Sequence, residues 1–123
     1  MPRVLVVEDG VIFRQLIHET LRSRFSSIEI DEAEGEDEAL QKIGSSVPDL
    51  VFIDIRLKQG NGLELIRKIK TDHPEVTAVI LTNYDLPEYR EAALKYKADH
   101  FIPKESFMKM VNLILSDWPG ELH

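Results

Sequence analysis

Cysteine is absent from the 123-residue chain, which excludes disulfides, zinc–thiolate centres and cysteine nucleophiles. No apolar stretch approaches the length of a bilayer span, and Met1-Pro2-Arg3 leads straight into an apolar run. Neither a membrane partner nor a signal peptide is therefore expected, and a cytoplasmic location follows. A basic excess is also missing. Fifteen Lys plus Arg stand against 22 Asp plus Glu, a formal charge of −7, which argues against direct nucleic-acid binding. No repeat, low-complexity tract or internal linker divides the chain, whose length suits one domain with one core. A 43% hydrophobic share beside 30% charged residues is the composition of a folded chain.

What is present is a series of short apolar runs that end in polar residues. Val4-Leu5-Val6-Val7 ends in Glu8 and Asp9, and Leu50-Val51-Phe52-Ile53 ends in Asp54. Val79-Ile80-Leu81 ends in Thr82, and Phe101-Ile102 ends two residues before Lys104. Runs this continuously apolar are covered on both faces, as in a parallel sheet wrapped by helices.

Helical spacing between the runs completes five strand-then-helix units. The strands are expected at Arg3–Val7, Ser27–Ala33, Pro48–Asp54, Val76–Thr82 and Asp99–Ile102. A helix over Val11–Phe25 has Ile12, Phe13, Leu16, Ile17, Leu21 and Phe25 at helical spacing. The second starts near Glu36 and stops at Gly44-Ser45-Ser46; the third follows the loop Ile55–Asn61 and ends before His73-Pro74. Asp85-Leu86-Pro87-Glu88 reads as an N-cap, a first-turn proline and a capping-box glutamate, opening a helix to about Lys97. A last helix is expected from about Glu105 to Trp118, with 119–123 as a tail. Alternation of this kind defines a doubly wound α/β domain.

In such sheets ligands collect at the carboxyl ends of the strands. Glu8, Asp9 and Asp54 would then lie on neighbouring strand ends, roughly 5 Å apart by ordinary strand spacing. Carboxylates packed so closely require a positive charge among them, and Mg2+ suits a site of few carboxylates with room for water and a phosphate oxygen. A carboxylate can also attack phosphorus. Thr82 could donate to phosphoryl oxygens and Lys104 could neutralise one. Seven acids between Glu29 and Glu38 read instead as a solvated strand edge and the start of a helix. His18, His73 and His100 show no ligand spacing.

Glu8-Asp9, Asp54, Thr82 and Lys104, in that order and each at a strand end, resemble the receiver domain of two-component response regulators. The similarity spans 1–118 and includes Asp54-Ile55-Arg56-Leu57, Gly62-Leu63-Glu64-Leu65 and Phe101-Ile102-Pro103-Lys104. It implies a five-stranded parallel sheet of flavodoxin/CheY-like (βα)5 type, in strand order 2-1-3-4-5. It further implies Asp54 as phosphoacceptor in a His-Asp phosphorelay. Asp9, Asp54 and the carbonyl of Arg56 would hold Mg2+ directly, and Glu8 would act through a bound water. Thr82 and Lys104 would be the switch hydroxyl and phosphate-reading lysine, with Phe101 as the switch aromatic.

The implied partners are a sensor histidine kinase or histidine phosphotransfer protein, and a downstream protein target or an output domain not present here. A homodimer through the face formed by the helix after Thr82, the last strand and the last helix is also implied. The chain would not be an enzyme, beyond promoting its own phosphorylation and dephosphorylation. Lys58 and Glu105 stand where many receivers have proline, which should loosen the loop after Asp54 and makes a cis bond after Lys104 unexpected.

Three other functions compete. A flavin or nucleotide module needs free amides after the first strand, where Glu8-Asp9-Gly10 would repel phosphate. Aspartate phosphohydrolases usually carry a second acid two residues beyond the nucleophile, where Arg56 stands. A receiver-like adaptor that signals by protein binding alone remains the alternative.

Overall fold

The computed structural model of the protein describes residues 2–117; the expected tail, 119–123, and Trp118 lie outside the described residues. Five strands alternate with five helices: β1 (Arg3–Val7), α1 (Val11–Arg24), β2 (Glu29–Ala33), α2 (Glu36–Ser45), β3 (Leu50–Asp54), α3 (Gly62–Asp72), β4 (Thr77–Thr82), α4 (Pro87–Lys95), β5 (His100–Pro103) and α5 (Phe107–Asp117). A single 3-10 turn, Lys104–Ser106, joins β5 to α5. All strand pairs are parallel and run in the order β2-β1-β3-β4-β5.

The apolar runs separate by parity into two layers, because successive side chains of a strand point to opposite faces. Val4, Val6, Leu50, Phe52, Val79, Leu81 and Ile102 pack with α1 and α5, around Ile17, Leu21, Phe107 and Val111. Leu5, Val7, Val51, Ile53, Ala78 and Ile80 pack with α2, α3 and α4, around Ala39, Ile43, Leu65, Ile66, Ile69 and Ala93. β3 is buried along its whole length, as its uninterrupted apolar run requires.

Three local expectations are corrected. Ile12 points outward and is 86% exposed, because Val11 starts the helix and the inward stripe begins with Phe13, Leu16 and Ile17. Asp85 is not the N-cap of α4: that position is Leu86, without a side-chain cap bond, and the Asp85 carboxylate instead takes the Arg90 guanidinium at 2.6 Å. The same helix stops at Lys95 rather than near Lys97, which adopts a left-handed φ of 66° and turns the chain towards β5.

Candidate functional site

β1 lies between β2 and β3, so the chain leaves the sheet in opposite directions after β1 and β3. Parallel sheets bind ligands at the carboxyl edge of such a reversal. Glu8 and Asp9 directly follow β1, and Asp54 is the last residue of β3. One oxygen from each of the three carboxylates lies within 4.8 Å of the others. Pleat parity places Glu8 in line with Val6, and Asp54 in line with Phe52, on the α1–α5 side. The 3-10 turn before α5 brings Lys104 to that side.

Lys104 Nζ lies 2.7 Å from Glu8 Oε1 and 3.1 Å from Asp54 Oδ2. It also sits 4.9 Å from the centre of the Phe13 ring, which meets Phe107 edge-on. Burial works against the ammonium, but the hydrogen bond to Glu8 and the charges of Glu8 and Asp54 outweigh it and raise the Lys104 pKa. Burial dominates at Glu8 and raises its pKa, despite bonds from Lys104 and from the Gly10 amide at 2.8 Å. One cation thus serves two buried carboxylates, while Asp9 has no cationic partner among the described residues.

Thr82 and Phe101 face the other side of the sheet from Glu8 and Asp54. Thr82 shares parity with Ala78 and Ile80, so its side chain is completely buried on the α4 side of the sheet. Its Oγ1 accepts the Tyr84 amide at 2.9 Å. Phe101, half-buried on the same side, lies beneath the Arg90 guanidinium at 4.6 Å from ring centre to Cζ. The Arg56 side chain does not enter the acidic centre. It stacks on Tyr84 at 3.6 Å, and its Nε donates to the Tyr89 hydroxyl at 3.0 Å.

The loop after β3 is tied down rather than loosened. The Lys58 amide donates to Asp9 Oδ2 at 2.9 Å, a bond proline could not make. Gln59 accepts the Glu36 amide through its carbonyl at 2.9 Å and the Asp37 amide through Oε1 at 2.9 Å. Glu36 starts α2 as expected, but it is buried and bridges the Asn61 amide and Lys68 Nζ. The remaining acids conform better: Glu29 pairs with Arg3, and Asp31 and Glu38 pair with Lys42, all at the surface.

Gly62 was missed as a site residue. A Cβ there would be driven into the Asp54 carbonyl and the Ile55 backbone, so only glycine lets α3 begin this close to the end of β3. Gly60, at φ 88°, turns the loop against Glu36. The detectable signal was the Gly60-Asn61-Gly62 triplet, in which Asn61 caps α3 by accepting the Leu63 and Glu64 amides. His18 carries no metal cluster: it lies half-buried, 2.6 Å from Glu32.

The fold and this carboxyl-edge cluster define a receiver. The chain belongs to the response regulator receiver domain family, whose model matches residues 4–115. A protein-glutamate methylesterase/protein-glutamine glutaminase of Geobacillus kaustophilus is 36% identical over 105 residues, covering 85% of this chain and 30% of the relative. Response regulator MprA of Mycolicibacterium vanbaalenii is 32% identical over 83% of this chain and 43% of its own length. The chain therefore spans less than half of these curated relatives. Among solved structures, response regulator TrrA of Thermotoga maritima, in complex with Mg(2+)-BeF, is 32% identical with a TM-score of 0.80, covering 94% of this chain and 98% of that one. Receivers are the phosphoacceptor modules of two-component systems, which bind Mg2+ and take their phosphoryl group from histidine kinases. No described helix is long and apolar enough to cross a membrane.

Proposed function

We propose that the Asp54 carboxylate accepts a phosphoryl group from a histidine kinase or histidine phosphotransfer protein. A single observation carries this reading: Asp54 is a buried carboxylate held by Lys104 at 3.1 Å within a three-acid cluster at the sheet's carboxyl edge. Lys104 engages Oδ2 and leaves Oδ1 as the attacking atom. In the transfer, the Asp54 oxygen forms a bond to phosphorus while the donor's P–N bond breaks. The donor imidazole keeps that electron pair and takes up a proton.

The acidic cluster fits a hard divalent cation, since three oxygens converge within 4.8 Å and, among the described residues, one ammonium offsets them. Asp9, Asp54 and the Arg56 carbonyl would hold Mg2+, with Glu8 acting through water. The cation would supply charge neutralisation for the incoming phosphoryl oxygens. Lys104 then moves its charge from Glu8 towards a phosphoryl oxygen. Thr82 releases the Tyr84 amide to donate to another, and the space it leaves on the α4 side of the sheet admits Phe101. The face carrying Tyr89, Arg90, Phe101 and Lys109 would present this change to a downstream protein, an output domain or a second copy of the chain. An adaptor that only binds a partner has no use for Lys104 buried against Glu8 and Asp54.

The test is intact-mass spectrometry after incubation with Mg2+ and a small phosphodonor. The chain should gain one phosphoryl group, lost with chelator and lost in Asp54→Asn, whose amide is isosteric but not nucleophilic. Full labelling of Asp54→Asn would contradict the assignment.

A further inference from the structure

Asp9 faces two neighbouring carboxylates without a cation of its own, so repulsion favours rotamers that swing it out to solvent. A single hydrogen bond opposes this: the Lys58 amide on Asp9 Oδ2, at 2.9 Å. A bond from a main-chain N–H to an ionised carboxylate is stronger than one between neutral groups. It also fixes the carboxylate's direction and leaves Oδ1 without another partner among the described residues. The donor is itself held, because Gln59 bonds to Asp37 through both ends of its amide and to the Glu36 amide through its carbonyl. Gly35 and Gly60 make room for this seam, since a Cβ on either would collide with Gln59 or Glu36.

We propose that Lys58 is a positioning residue whose backbone amide aims Asp9 at the divalent cation, so that cation affinity depends on residue 58 keeping its N–H. The inference rests on the reading of Glu8, Asp9 and Asp54 as a cation site. The Lys58 side chain has no part in it; it is exposed and makes no ion pair among the described residues. Proline at this position would remove the donor while remaining compatible with a loop. By the family resemblance, many receivers carry proline there.

Calorimetric titration of the whole chain with Mg2+ tests the proposal. Lys58→Pro should weaken binding roughly tenfold, the worth of one hydrogen bond to a charged group. Lys58→Ala, which keeps the N–H, should stay within about twofold of wild type, since surface substitutions away from a specific contact change little. Equal affinity in Lys58→Pro, or an equal loss in Lys58→Ala, would overturn the proposal. A second measurement needs no proline variant. Exchange of the Lys58 amide in the metal-free wild type should be slowed well below that of a free peptide, and Asp9→Ala should abolish the slowing. Free-peptide exchange in the wild type would also overturn it. A wild type that binds no Mg2+ would instead refute the underlying cation site, and this proposal with it.

Discussion

α3 and α4 cover the same face of the sheet but are fastened to it differently. α3 buries Gly62, Leu65, Ile66 and Ile69 and is capped by Asn61, while α4 buries only Ala93 and has no side-chain cap. The loop leading into α3 is sewn to β1 and α2 by Lys58, Gln59 and Asn61. The region around α4 is held at its surface instead, by Arg56 on Tyr84, Arg90 on Phe101 and Arg90 against Asp85. The acids proposed to carry the chemistry are thus anchored through core packing and main-chain bonds. Tyr84 and Phe101, on the face proposed to report it, sit under surface contacts that can be exchanged at small cost. Phosphate can only shift an equilibrium between states already accessible.

The contrast should show most strongly in stability. Ile66→Ala on α3 should cost about 2–5 kcal/mol, as buried aliphatic truncations do. Leu94→Ala on α4, at a side chain 79% exposed, should stay within about 0.5 kcal/mol. Chemical denaturation of both variants checks the pair, and equal losses would break the comparison.

Gly62→Ala should cost about 1–3 kcal/mol by overpacking at the mouth of α3. Because the added methyl group pushes on the Asp54 carbonyl, phosphorylation should slow as well, which time-resolved intact mass would show.

Lys104→Met should act on the chemistry rather than the fold. With the ammonium gone from between Glu8 and Asp54, calorimetry should find Mg2+ bound more tightly than in wild type, while phosphorylation falls for want of the group that meets the phosphoryl oxygen. The smallest effect belongs to Arg90→Ala, which uncovers Phe101. Amide shifts should be confined to α4 and β5, with Mg2+ affinity unchanged.

Much of this was legible in the sequence because buried parallel strands leave apolar runs whose last residues mark the carboxyl edge. Four such runs located Glu8, Asp9, Asp54, Thr82 and Lys104 at strand ends, and the family resemblance ordered the sheet. Less legible was anything that depends on which neighbour a polar group chooses. Asp85 had the spacing of a cap but found Arg90; Glu36 had the place of a helix start, but its burial against Asn61 and Lys68 could not be read from it. Lys58 suggested a looser loop, whereas its amide, invisible to side-chain reasoning, found Asp9. The start of α1 was read from apolar spacing, which cannot say whether the first apolar residue faces in or out, as Ile12 shows.

The central claim is that chemistry at a fixed acidic centre is read out by a weakly held α4 region. Amide NMR of the wild type with Mg2+, before and after adding beryllofluoride, tests it most directly. Apart from residues touching Asp54 itself, the large shifts should fall within Thr82–Lys109, with Thr82, Tyr84 and Phe101 among them. Shifts concentrated instead in α2 and α3, with Thr82–Lys109 unmoved, would contradict it.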